Sequence, residues 1–103
     1  MDVTYRVDKD ILYIAVEGRI DASNAAEAEE KIFSIKNDNP GKHTVVDADK
    51  LEYISSAGLR VILRLRKEEP KLTIINISNV SDTFITPLLF FVIIQHFFNS
   101  VNL

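Results

Sequence analysis

Cysteine is absent from this 103-residue sequence, which excludes disulfides, thiolate catalysis and cysteine-held metal centres. Histidine is scarce: His43 and His96 stand far apart without ligand spacing, and His43 reads as a surface residue opening a strand. An excess of positive charge is also missing. The net charge of −3 and the pI of about 5.3 leave no basic footprint for nucleic acid. The segment Met1-Asp2-Val3-Thr4-Tyr5-Arg6 lacks the basic region and apolar run of a secretory signal, so a cytoplasmic protein is expected. There is no Gly-x-Ser-x-Gly elbow and no glycine-rich phosphate loop, which argues against a serine hydrolase and a nucleotide-gripping loop. Asp21, Asp47 and Asp49 read as caps or solvated carboxylates at turns and not as a metal site. No metal, cofactor or catalytic residue is expected.

What the sequence does contain is the composition of one globular domain, 47% hydrophobic and 26% charged, so a single domain over 1–103 is expected. Val3 to Val7 and Ile11 to Val16 are β-prone segments joined by Asp8-Lys9-Asp10, which predicts a hairpin or a closely related strand pair. Asn24 followed by Glu27 fits a capping box, with Ser23 as the alternative cap, for a helix running to about Lys36. Ala25, Ala28, Ile32 and Ile35 form its apolar stripe; Glu27, Glu30, Lys31 and Ser34 fall elsewhere. Asn37-Asp38-Asn39-Pro40-Gly41 ends the helix. His43 to Ala48 is a β-branched run suited to a central strand, and Asp49 to Ile54 reads as a connection. Leu59, Ile62 and Leu63 form the inward face of a second helix that Pro70 stops, and Leu72 to Ile77 reads as another strand. Strand, helix and strand in such close succession imply a parallel crossover. The expected class is α/β, a mixed four- to five-stranded sheet packed by helices in the order ββαβαβα.

The most informative segment is Leu51-Glu52-Tyr53-Ile54-Ser55-Ser56-Ala57-Gly58-Leu59-Arg60, where two serines sit between a strand-like run and an amphipathic helix. A phosphate in the first turn of a helix meets free N–H groups and the positive end of the macrodipole, together worth about 0.3 to 1 kcal/mol. One hydroxyl there can acquire nearly two negative charges. Ordinary N-capping is the competing use of a serine at this place, and Ser55 reads as the cap. Ser56, Arg60, Arg64 and Lys67 recur at helical spacing, and Arg60 leans back toward Ser56. That stripe reads either as a docking face for an acidic partner or as a solvated basic face. Gly58 in the first turn costs about 1 kcal/mol relative to alanine. It points to close approach by another backbone or a partner, or to a packing requirement inside the fold.

The segments Gly18-Arg19-Ile20-Asp21-Ala22-Ser23-Asn24-Ala25 and Val45-Val46-Asp47-Ala48-Asp49-Lys50-Leu51-Glu52-Tyr53-Ile54-Ser55-Ser56-Ala57-Gly58-Leu59 resemble the STAS domains, in particular the stand-alone bacterial anti-sigma factor antagonists. The resemblance covers residues 3–82 in element order. It implies a phosphorylated serine two positions before the glycine, which is Ser56; Ser55, in the place of a frequent aspartate, is the second candidate. It also implies a partner, an anti-sigma factor with serine kinase activity, bound when Ser56 is unmodified and released on phosphorylation, with a metal-dependent serine phosphatase reversing the change. The consequence is control of sigma-factor-dependent transcription without enzymatic activity in the chain itself. Asp21 is expected close to the switch serine, and Asp21, Ser23, Asn24, Ser55, Ala57, Gly58, Arg60 and Arg64 are the expected partner-binding set. A nucleotide-binding or scaffold-type STAS module in a larger regulatory or membrane-associated assembly is the alternative.

Thr83 to Leu103 departs from the family pattern of a third amphipathic helix, a short strand and a closing helix. Phe84 to Phe98 is nearly all apolar, yet too short and interrupted for the roughly 20 apolar residues that span a bilayer. Pro87 fits the first turn of a helix. Burial in the core is the expected account, with some dimerisation; a homodimer or swapped-helix interface through this segment and a tail altered by truncation or frame change are the others.

Overall fold

The computed structural model of the chain describes residues 1–76, and the expectations for Ile77 and for Thr83 to Leu103 lie outside them. The element order is β1 Asp2–Asp8, β2 Ile11–Ile20, α1 Ala25–Asp38, β3 His43–Asp47, β4 Leu51–Ile54, α2 Ser56–Glu68 and β5 Thr73–Ile75. The hairpin forms as the alternation predicts, with Tyr5 opposite Ile14 and Val7 opposite Leu12. Lys9 takes a positive φ of 55° in its two-residue turn, a conformation hairpin turns demand.

The sheet is mixed. Strand order is β1-β2-β3-β5, with β4 also paired to β2. β2 carries the rest: β1 runs antiparallel to it, β3 pairs in parallel with Ile11 to Ala15, and β4 pairs in parallel with Gly18 to Ile20. β2 is four residues longer than the apolar pattern Ile11 to Val16 predicts. Gly18 makes the extension possible, because its φ of 85° absorbs the register shift between Gly18 and Arg19 at a cost that a side chain would raise. The segment Asp49 to Ile54, expected as a connection that ends in a strand-like run before the serines, therefore contains a strand. Its four residues, with only Leu51 and Ile54 buried, show too little periodicity to separate strand from loop.

Leu12, Ile14, Val16 and Ile20 on β2 form one cluster with Ile32 of α1 and Leu59, Val61, Ile62 and Leu65 of α2. Burying each large aliphatic side chain stabilises the fold by about 1.5 to 3 kcal/mol relative to exposure. The α1 stripe is as predicted, with Ala25, Ala28 and Ile32 buried and Ile35 packed at the margin. In α2 the buried set is Gly58, Leu59, Val61, Ile62 and Leu65; Leu63 is only half-buried. The wider buried arc follows from two neighbours, since α2 contacts both β4 and α1. α2 ends at Glu68, short of Pro70, and the Glu69 carboxylate turns back to accept from the Thr44 N–H. Among the described residues no helix is long and apolar enough to cross a membrane.

Candidate functional site at two helix starts

The site forms where the end of β2 meets the start of α2. Ser55 donates its N–H to the Ile20 carbonyl at 2.8 Å, which fixes the α2 start beside the loop that leads into α1. Ser55 is the N-cap, with extended backbone, and its Oγ accepts from the Gly58 N–H at 3.3 Å. Ser56 is the first residue of α2 and is exposed. The two serines thus divide the work: one satisfies the helix end and the other presents a hydroxyl to solvent beside the remaining first-turn N–H groups.

Gly58 is buried, and a Cβ there would lie 2.6 Å from Ile54 Cγ1 and 2.9 Å from Ile20 Cγ2. The reason for glycine at this position is therefore internal packing of α2 on the ends of β2 and β4. Of the two readings the sequence leaves open for Gly58, the structure supplies the packing one: the close neighbours are the fold's own isoleucines.

The loop before α1 is closed on itself. Asp21 Oδ1 accepts from the Ser23 N–H at 2.9 Å and from the Ser23 hydroxyl at 2.5 Å. Asn24 accepts from the Asp21 N–H and donates to the Arg19 carbonyl, both at 2.9 Å. The predicted capping box does not form: Asn24 is the N-cap residue, but its side chain caps nothing in α1. Its amide is taken by the strand end behind it, and Ser23 is taken by Asp21. The Ser23 hydroxyl, then the Ser23 amide, holds the Asp21 carboxyl below the usual carboxylate range.

Between the two helices lies a cleft of about 210 Å³ floored by Ala22, Ala25, Ala26 and Ala57 and edged by Glu29, Arg60 and Arg64. The basic stripe is not uniform. All three bases are exposed, but Arg64 is paired with Glu29, whereas Arg60 and Lys67 make no ion pair among the described residues. Glu29 was not legible as part of the site, because its partner lies 35 positions away and no local pattern links them. A second unforeseen contact places the Arg19 guanidinium 4.3 Å from the centre of the Tyr53 ring, joining the ends of β2 and β4 by a cation–π contact. Asp47 and Asp49 sit apart from this site; Asp47 accepts from the Asp49 N–H and from Asn76. His43 opens β3 and lies 3.0 Å from the Thr73 hydroxyl.

A five-stranded mixed sheet packed by two helices, with an exposed serine at the start of the second, defines a mixed α/β architecture. The STAS domain family model matches residues 2–102, and the chain belongs to that family. Its fold is similar to that of an anti-sigma factor antagonist from Mycobacterium paratuberculosis, with TM-score 0.58 and 21% identity over 71% of this chain and 62% of that one. It is also similar to an antisigma-factor antagonist STAS domain from Rhodobacter sphaeroides, with TM-score 0.61 and 17% identity over 80% and 92%. The anti-sigma factor antagonist SpoIIAA in its unphosphorylated form gives TM-score 0.50 and 18% identity over 67% and 64%. The chain thus covers less than two thirds of two of these three structures. No curated protein matches it significantly.

Proposed function

We propose that this protein is an anti-sigma factor antagonist whose partner is an anti-sigma factor with serine kinase activity. It binds that partner with Ser56 unmodified and is released when Ser56 is phosphorylated; a serine phosphatase restores the binding form. It acts in the cytoplasm as a binding module and not as an enzyme. The observation that carries this reading is the division of labour at α2: Ser55 is occupied as the cap, while Ser56 is exposed at the first helical position. The family and the fold support the same class of partner.

The chemistry is electrostatic. Phosphate at Ser56 adds up to two negative charges and acceptor oxygens at a helix N-terminus, where the fold tolerates them. The same charge stands beside Arg60, the base of the stripe nearest Ser56, which makes no ion pair among the described residues, and cancels the attraction that this base offers to an acidic partner surface. The expected docking surface is Ser56 with Ala57, Arg60 and the α1 side of the cleft, bounded by the Asp21-Ser23-Asn24 loop; Ser55 and Arg64 contribute while held by Gly58 and Glu29.

The test is partner affinity for Ser56→Ala and Ser56→Asp, together with mass spectrometry of the chain after incubation with the kinase partner and ATP. Ser56→Ala is expected to bind and resist phosphorylation, and Ser56→Asp to bind at least about tenfold more weakly. Equal, undiminished binding by both variants sinks the switch.

A further inference from the structure

The outer edge of β1 has no strand beside it among the described residues. Natural sheets blunt such edges with proline, bulges or inward-pointing charge, but β1 pairs with β2 in unbroken register from Asp2 to Asp8 and contains no proline. Two of its residues, Tyr5 at 53% and Val7 at 43% exposure, are the large hydrophobics left in the open among those described. Both point to the helix-bearing face, because their cross-strand neighbours Ile14 and Leu12 are core residues. The strand's charges, Asp2, Arg6 and Asp8, alternate onto the other face, so the apolar row on the helix-bearing face stays open for another strand to cover.

The charges on β1 identify what covers it. We propose that β1 pairs antiparallel with β1 of a second copy of this chain, in the register centred on Thr4. In that register Asp2 faces Arg6 of the other copy, twice; Val3 faces Tyr5, twice; and Thr4 faces Thr4. Centring on Tyr5 sets Asp2 against Asp8, and centring on Arg6 sets two guanidiniums together, so charge rejects both. Centring on Val7 runs past the strand end at Asp8. Asp2 gains from the pairing, since within its own copy it lies opposite Glu17, whose carboxylate is bound to Lys50.

The helix side supplies a socket. A cleft of about 420 Å³ lies between Val3 and α1, lined by Glu27, Glu30, Lys31, Ser34 and Ile35. Tyr5 of the second copy, opposite Val3, brings its ring over this cleft, apolar body against Val3 and Ile35 and hydroxyl toward the polar rim. Tyrosine suits such a site because one end is apolar and the other wet. The two sheets join into one, in the manner of strand addition at an exposed edge.

Sedimentation velocity of the full chain over a concentration series tests this, with circular dichroism confirming that each variant is folded. The expected result is a reversible monomer–dimer equilibrium in the range of about 10 to 500 μM, given the small area an edge contact buries. Asp2→Arg alone and Arg6→Asp alone each set like charges in register and weaken the dimer about tenfold. An equimolar mixture of the two variants restores dimers to about the original affinity, because each copy then supplies the charge the other lacks. Tyr5→Ser weakens the dimer without changing any charge, and it serves as the second readout should Arg6→Asp, which also loses its stack on Tyr13, fail to fold. A chain that stays monomeric at about 500 μM, a dimer indifferent to these substitutions, or a mixture no tighter than its components overturns the proposal.

Discussion

The two helices of this domain start beside the same end of β2, where the Ser55 N–H bonds the Ile20 carbonyl, and they solve the same problem in opposite ways. At α2 the cap works as the sequence predicts: Ser55 Oγ accepts from Gly58, and the helix is held so tightly that its third residue has no room for a methyl group. At α1 the residue placed to cap does not cap; Asn24 and Ser23 spend their polar atoms on the loop behind them. One start is closed by its own helix and leaves a neighbouring hydroxyl exposed. The other is braced by the preceding strand and leaves its polar side chains engaged with one another. A position for a modifiable serine needs the first arrangement, because there the exposed Ser56 hydroxyl has no bond among the described contacts, whereas the Ser23 hydroxyl is held by the Asp21 carboxylate.

The largest expected effect tests the tightness at α2. Gly58→Ala gains about 1 kcal/mol of helix propensity, but it pushes a methyl into Ile54 and Ile20 and over-packing costs about 1 to 3 kcal/mol. Because both approaches are under 3 Å, the cost falls at the upper end of that range and a net loss of about 2 kcal/mol in urea unfolding is expected; unchanged or raised stability means that the β2 and β4 ends yield easily and the comparison fails. Next in size is Asn24→Ala, which removes two side-chain bonds to backbone at the α1 start; at about 0.5 to 1.5 kcal/mol for each bond, a partly exposed pair gives a loss near 1.5 kcal/mol. Had Asn24 been an ordinary cap, glycine at this position would be nearly as good. Braced as it is, Asn24→Gly is expected to cost at least as much as Asn24→Ala, and the same unfolding experiment reads the difference.

Much of this was legible in the sequence, and the misses share a physical cause. The hairpin, the α1 stripe, the β3 run and the serine-bearing helix start follow from periods of 2 and 3.6 within single segments. The Ser55 cap was legible because a cap is a local bond. The capping box at Asn24 was misread because its competitors, the Arg19 carbonyl and the Asp21 amide, become available only when β2 continues past Gly18, and a bulge at one glycine has no periodic signature. The pairing of β4 with β2 and the Glu29–Arg64 pair were missed for the same kind of reason: each is a contact between distant segments. Gly58 was singled out correctly as a close approach, and which neighbour approaches was settled by the β2 and β4 ends meeting beneath it.

A smaller effect separates the two serines. Ser55→Ala removes the cap and is expected to cost about 1 kcal/mol, whereas Ser56→Ala, at an exposed position without a bond of its own among the described contacts, is expected within about 0.5 kcal/mol of the parent. Equal losses at the two positions erase the division of labour on which the Ser56 proposal stands. Paired thermal and urea unfolding of the two variants makes the measurement.

The smallest effect lies in the ionisation of Asp21. Its carboxyl is held below the usual range, first by the Ser23 hydroxyl and then by the Ser23 amide, so the folded state binds its proton less readily than the unfolded chain. The ion's contribution to stability is therefore fully present above the unfolded carboxylate pKa, and it is lost only as pH falls through the lower folded value. Carbon-detected NMR of Asp21 should show a midpoint below that of an unstructured aspartate. Ser23→Ala removes the hydroxyl bond and keeps the amide one, so the midpoint should rise toward the ordinary value without reaching it. A midpoint already at the ordinary value in the parent chain means that the loop at α1 is open in solution; the contrast between a braced start and a capped one would then be lost, and Ser23 would stand as free to bind a partner as Ser56.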